Sequence, residues 1–300
     1  GSLQISVESD LYGIRANLPE PLGKSDEEVL PLSMNIELPS PNQLTTTGSL
    51  AGDVNWTARF VREDGVLDFD RGVIAFGEYP RPAGVRGLHI HGQVLSLDLH
   101  EWLAEGRRGD REVGLGERIR SIDMAVDNLY AVGQRFEDHR VQVERSGRDW
   151  VVQVTGGQAI GTITVPYDFS AGRPMTLDME RLIMPGDDTA DERGPATDID
   201  PRALPAISAR VDEFALDNRV FGELEAEFER APRGLVSSTL TTRDDSFTVT
   251  GEAGWVIDAY DETGQRTYLE ATLNSTNLPA TAKRLAYDPG IISDATQVRL

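Results

Sequence analysis

Apolar and polar side chains alternate along most of this 300-residue chain, the period-2 signature of half-buried β-strands. Leu3, Ile5 and Val7 alternate with Gln4, Ser6 and Glu8. Leu32, Met34, Ile36 and Leu38 repeat the pattern, as do Val54, Trp56, Ala58 and Phe60. Further strands are predicted at 67–69 and 73–76, with Asp70-Arg71-Gly72 as a turn between them, and at 88–92 and 94–99. The pattern continues at 141–143, 150–154, 160–165, 175–179, 207–214, 224–228, 235–240, 247–250 and 268–273. Turn chemistry separates many of these runs, as in Glu63-Asp64-Gly65, Ser146-Gly147-Arg148-Asp149 and Arg243-Asp244-Asp245-Ser246. The expected fold class is all-β, mainly antiparallel hairpins, with a few short helices.

Helical signals are few. Residues 98–105, opened by Asp98, read as a short helix, and 279–287 as another with Asn277 as its N-cap. Residues 201–204 read as a single turn. The charged, Gly-bearing stretch 106–118 and the acidic stretch 184–200, with Pro185-Gly186 and Pro195, read as loops.

A faint repeat runs through the strands. Val126, Asp127, Phe136, Glu144 and Arg145 recur 85 residues later as Val211, Asp212, Phe221, Glu229 and Arg230. Leu129 and Val143 find apolar counterparts in Phe214 and Phe228. Each copy reads as strand, turn, strand, turn, strand. A repeated strand unit predicts an array with function spread along a surface rather than in one pocket. The expected organisation is a first section at 1–120, a second module at 121–185, an acidic loop at 186–200, and a third module at 201–300 repeating the second and ending in a short helix.

Charge narrows the partners. With 29 basic and 50 acidic residues the net charge is −21, and recognition of nucleic acid needs clustered Lys and Arg, so nucleic acid is not an expected partner. The same charge disfavours adsorption to an anionic bilayer. There is no cysteine, so disulfides, thiol catalysis and Cys-ligated metals are excluded. No run approaches the about 20 apolar residues of a membrane span. The start at Gly1 without Met and the stop at Leu300 are read as marking an excised piece of a longer protein.

Candidate chemistry is thin. His89 and His91 share one side of a strand, yet no third metal ligand stands out beside them. Asp68/Asp70, Asp187/Asp188 and Asp244/Asp245 are neighbouring carboxylates expected by number alone, whereas a glycosidase pair must face across a cleft at roughly 5–9.5 Å. The acidic run 187–192 lacks calcium-loop spacing. Neither a Gly-x-Ser-x-Gly elbow nor a phosphate-binding Gly-rich loop occurs. Trp56 and Trp150 are expected to fill an apolar strand face, Trp102 to dock a short helix and Trp255 to end a strand. No catalytic residue, metal site or cofactor is expected.

Several phrases, taken in order, resemble the YhdP-type AsmA-like proteins of the AsmA/TamB-like superfamily. They are Ser9-Asp10-Leu11-Tyr12-Gly13-Ile14 with Leu18-Pro19-Glu20-Pro21-Leu22-Gly23-Lys24, then Leu50-Ala51-Gly52-Asp53-Val54-Asn55-Trp56. The stretch from Gly87-Leu88 to Leu99-His100-Glu101-Trp102-Leu103 follows, then the Phe136 and Phe221 repeats and Asp200-Pro201-Arg202-Ala203-Leu204-Pro205. Gly251-Glu252-Ala253-Gly254-Trp255 and the tail from Leu273 to Tyr287 complete the series, which spans essentially the whole chain. The resemblance implies an internal or C-terminal-half part of a long protein anchored in the inner membrane of Gram-negative bacteria. It implies an elongated, bent, taco-like β-groove in the periplasm that carries phospholipids between inner and outer membranes. Phospholipid acyl chains and neighbouring segments of the same longer chain would be the partners.

The physics of a strand is compatible with that implication. A bent sheet can be apolar on one face and polar on the other, and acyl chains can stand in for a missing second layer. Burial of apolar area is worth about 25 cal/mol per Å². The candidate groove lining is Val141, Val143, Trp150, Val152, Val154, Leu224 and Phe228. The alternative from another class is a structural or adhesive β-repeat scaffold without a groove.

Overall fold

The computed structural model describes residues 3–99, 101, 118–131, 134–169, 172–185, 200–258, 260, 264–287 and 296–299. The expected helix at 98–105 and the expected loops at 106–118 and 184–200 lie largely outside these residues, as does Trp102. Inside them, Asp98 Oδ1 accepts the Glu101 N–H at 3.2 Å, the cap expected of a helix start.

The chain forms two compact units, one of Gly1–Tyr130 with Arg140–Glu144, the other of Ala131–His139 with Arg145–Leu300. The first is built from β1 (Leu3–Ser9), β2 (Leu32–Ser40), β3 (Gln43–Leu50), β4 (Val54–Glu63), β5 (Val66–Phe76), β6 (Gly87–Asp98) and β7 (Ile119–Ala131). Strand β8 (Gln134–Ser146) gives residues to both units. The second continues with β9 (Asp149–Thr155), β10 (Ala159–Pro166), β11 (Met175–Met184), β12 (Ile207–Leu216), β13 (Arg219–Ala231), β14 (Gly234–Asp244), β15 (Phe247–Ile257), β16 (Gln265–Ser275) and β17 (Thr296–Arg299). One α-helix is described, α1 (Leu278–Arg284), whose N-cap Asn277 accepts the Ala280 N–H at 3.1 Å. Pro201–Ala203 makes a 3-10 turn at the expected place. The mainly antiparallel all-β class read from the sequence is the class of the structure.

Three pairings depart from the hairpin expectation. β5–β6, β6–β7 and β11–β12 are parallel. A parallel pair needs the chain to return to the starting end of the sheet between its two strands. The return from β5 to β6 is only residues 77–86. It lies across one face of the sheet, where Arg71 donates to the carbonyls of Ala83 and Gly84 and His91 Nδ1 meets Glu78 Oε1 at 2.5 Å. Val73 and Ala75, which face that way, are fully buried.

The Asp70-Arg71-Gly72 turn is corrected. β5 runs unbroken through it, and the register slips at Arg59/Phe60, so that the strand takes up one extra residue. The bulge turns Asp70 inward, where its carboxylate meets Arg59 at 3.2 Å and Arg71 and Arg86 at 2.9 Å each. Two strands had no expectation at all: β3, whose Thr-rich run lacks strong hydrophobic contrast, and β17.

The sequence repeat has a structural counterpart. β8 and β13 begin and end 85 residues apart, and so do the starts of β9 and β14. Each copy follows a parallel step, β6–β7 or β11–β12. Each also kinks early in its second strand through a left-handed residue, Asp138 at φ 54° or Gly222 at φ 77°.

Two glycines lie under aromatic rings of the neighbouring strand. Gly48 is paired with Trp56, and Gly254 with Tyr268. Each ring covers bare backbone that a side chain would otherwise occupy.

Candidate functional site

Cross-strand register decides which side chains share a face, because successive residues point to opposite sides of a sheet. In the first unit one file of paired residues runs Val7, Met34, Gly48, Trp56, Ile74, Ile90, Ile122 across β1–β7. The adjacent file on the other face runs Ser6, Asn35, Thr47, Thr57, Val73, His89, Ser121. Every side chain of the apolar file is only half-buried. Further along the same face Leu88, Val94, Met124 and Val126 are buried, and on the polar side Val73 and Ala75 are buried beneath residues 77–86.

The second unit repeats this division. One file runs Val152, Ile163, Leu177, Ala209, Ala226, Leu240, Gly251, Ala271, eight strands from β9 to β16 without a polar side chain. The adjacent file, one residue along, runs Gln153, Thr162, Asp178, Arg210, Glu225, Thr241, Thr250, Thr272. Both units are therefore apolar on one face and polar on the other.

Coverage of the second apolar face is graded. Val154, Ala159, Met179 and Val211 are buried, packed with Leu182, Phe214 and Leu224. Toward the opposite strand ends Trp150, Val165, Met175, Ile207 and Phe228 are only partly buried. A separate cluster of Phe247, Val249, Ala271 and Leu273 is closed by Phe221 and by Leu285 just after α1.

The expected lining residues fall as follows. Trp150, Val152 and Val154 point to the apolar face from β9, and Leu224 and Phe228 from β13. Val141 is buried and Val143 half-buried on β8, alternating with outward Arg140 and Glu144. The file from Val7 to Ile122 had no expectation attached, although its alternating strands were legible. What was missing was the register that places them on one side.

Polar chemistry gathers on the other face or in the turns. His89 Nδ1 lies 2.8 Å from Ser121 Oγ, and burial holds the ring's pKa below its ordinary value. His139 is almost fully buried, with Nε2 accepting the Ala159 N–H at 3.1 Å, and burial pushes its pKa down too. Burial of Asp70 works to raise its pKa, but the hydrogen bonds from Arg71 and Arg86 outweigh that and hold it below the ordinary carboxylate value. Asp244 sits in the expected turn, accepting from Ser246 and from Arg284 Nε at 2.8 Å. Among the described residues no group of three His, Asp or Glu side chains is arranged to hold a metal ion. No described helix is long and apolar enough to cross a membrane.

A family model described as YhdP protein matches residues 1–299. No curated protein and no solved structure matches the chain.

Proposed function

We propose, from the premise that this chain belongs to the YhdP family, that its apolar sheet faces hold lipid acyl chains and pass them along. The observation that carries this reading is the eight-strand file from Val152 to Ala271, with no polar side chain in it, lying one residue away from a wholly polar file. In a soluble sheet protein an apolar face of that breadth is normally covered by a second layer. Here its margin is only partly buried, and so is every side chain of the first unit's file. Acyl chains can supply the missing layer, at about 25 cal/mol per Å² of apolar surface removed from water. Contacts of this kind have no direction, so a chain can slide along the file without breaking hydrogen bonds.

The fuller reading places the chain in the cell envelope, as one stretch of a periplasmic path for phospholipids between inner and outer membranes. Neighbouring segments of a longer chain would extend the path at either end. Val141, Val143, Trp150, Val152, Val154, Leu224 and Phe228 are its proposed lining, together with Val7, Met34, Trp56, Ile74, Ile90 and Ile122. A structural scaffold would leave such a face without a ligand.

The test is photocrosslinking. A diazirine amino acid at Val152 or Phe228 should capture radiolabelled phospholipid from cells or vesicles, whereas the same probe at Gln153 should not. Equal labelling at all three positions, or none at any, would refute the lipid reading.

A further inference from the structure

One margin of the second unit's apolar face ends in a cationic side chain stacked on two aromatic rings. Trp150 terminates the series Trp150, Val152, Val154 on β9. Tyr167 follows directly on β10, and its N–H donates to the Arg148 carbonyl at 3.1 Å, extending the hairpin by one residue. The two rings meet edge to face at 5.3 Å between centroids. The Arg145 guanidinium lies 5.1 Å from the Trp150 ring centre and 4.7 Å from that of Tyr167, while its Nε donates to the Tyr167 hydroxyl at 2.7 Å.

The residue types match a boundary between oil and water. Trp and Tyr each pair an apolar body with a polar tip, the reason they collect where lipid tails meet headgroups. A guanidinium uses its flat face to stack on rings and its N–H edge to bind oxyanions, so one side chain can do both at once. This end of the strands carries Arg148, Arg173 and Arg230 together with Glu144, Asp149 and Asp168, with Arg173 held by Asp149 at 2.7 Å.

We propose that Arg145, held by Trp150 and Tyr167, binds the phosphodiester of a lipid whose tails lie on the apolar face beside Val152 and Phe228. The site rests on the lipid reading above and assigns the end of the strands at which the polar part of the molecule sits. Phospholipids are then distinguished from uncharged lipids of equal tail length at this margin, while the file beyond it stays indifferent to headgroup.

The experiment measures binding of three probes to the full chain: dihexanoylphosphatidylglycerol, the matching dihexanoylglycerol without phosphate, and inorganic phosphate. Wild-type protein should prefer the phospholipid over the diacylglycerol, and millimolar inorganic phosphate should not displace it. Arg145→Gln should weaken the phospholipid about tenfold, the scale of one charge-assisted hydrogen bond, and leave the diacylglycerol unchanged. Arg145→Lys should recover part of the loss. Equal wild-type affinity for both lipids, or an equal loss for both in Arg145→Gln, would overturn the headgroup site while leaving acyl binding intact. Displacement by inorganic phosphate would make this a free-anion site and overturn the lipid assignment. Failure of either lipid to bind wild-type protein would instead sink the acyl-chain reading itself, and the headgroup site with it.

Discussion

Gly48 lies beneath the indole of Trp56, so close that a Cβ at position 48 would come within 2.3 Å of Trp56 Cζ2 and 2.6 Å of the Ser33 carbonyl oxygen. The backbone oxygen cannot swing aside, and the ring is held in the apolar file between Gly48 and Ile74. Gly48→Ala should therefore destabilise the first unit by about 1–3 kcal/mol, the usual cost of overpacking. A denaturant midpoint unchanged from wild type would show that Trp56 is free to leave this position.

Asp70 supplies a second test. Breaking a buried ion pair costs most when the charges left behind are also buried. Here the arginines are partly exposed, so Asp70→Asn should cost about 1–3 kcal/mol at neutral pH. The pH dependence has a fixed sign. A carboxyl whose folded pKa lies below its unfolded value stabilises the fold above about pH 3.9 and loses that contribution as pH falls through the folded value. Wild type should thus lose stability below about pH 4 more steeply than Asp70→Asn. Parallel acid-unfolding curves would contradict the ion-pair account.

His139 has the opposite charge logic. Its folded pKa is depressed by burial, so the unfolded chain binds the proton more readily. Stability is full above about pH 6.5 and falls as pH drops from there to the folded value. Protonation also removes the Nε2 lone pair that accepts the Ala159 N–H. His139→Gln should flatten the stability profile below about pH 6.5. A profile as steep as that of wild type would place the sensitivity elsewhere.

The two faces of β9 allow a paired experiment on function. Val152→Glu puts a charge into the apolar file, whereas Gln153→Glu puts the same charge on the polar side, one residue away. Phospholipid retained through purification should fall several-fold in the first variant and stay at wild-type level in the second. Comparable losses in both would argue that stability, not the face, controls retention. Thermal unfolding of both variants separates these outcomes.

Much of this architecture was legible because strand alternation and turn chemistry are local. The runs at Leu3–Val7, Leu32–Leu38 and Val54–Phe60 became β1, β2 and β4, and Asn277 capped α1 as its spacing implied. The 85-residue offset between Phe136 and Phe221 is the same offset that separates the ends of β8 from those of β13. The failures are long-range. Asp70-Arg71-Gly72 has the composition of a turn, but arginines from β4 and from the segment after β5 fix Asp70 inside a bulge. Parallel steps are set by where a return segment lands, which alternation does not encode. The apolar files needed register across seven and eight strands, and register emerges only when the strands are paired.

The parallel step from β11 to β12 has a consequence for growth of the chain. Five strands separate it from the preceding parallel step at β6–β7, and five is odd. An odd meander finishes pointing the way it began, so a simple hairpin would turn the next copy upside down. A parallel return restores the heading, so β12 sets out in the direction of β11 with its apolar residues on the face that β11 presents. Such a module can be duplicated or lost whole without reversing the surface, a property that an even-stranded unit would have needed no return segment to achieve.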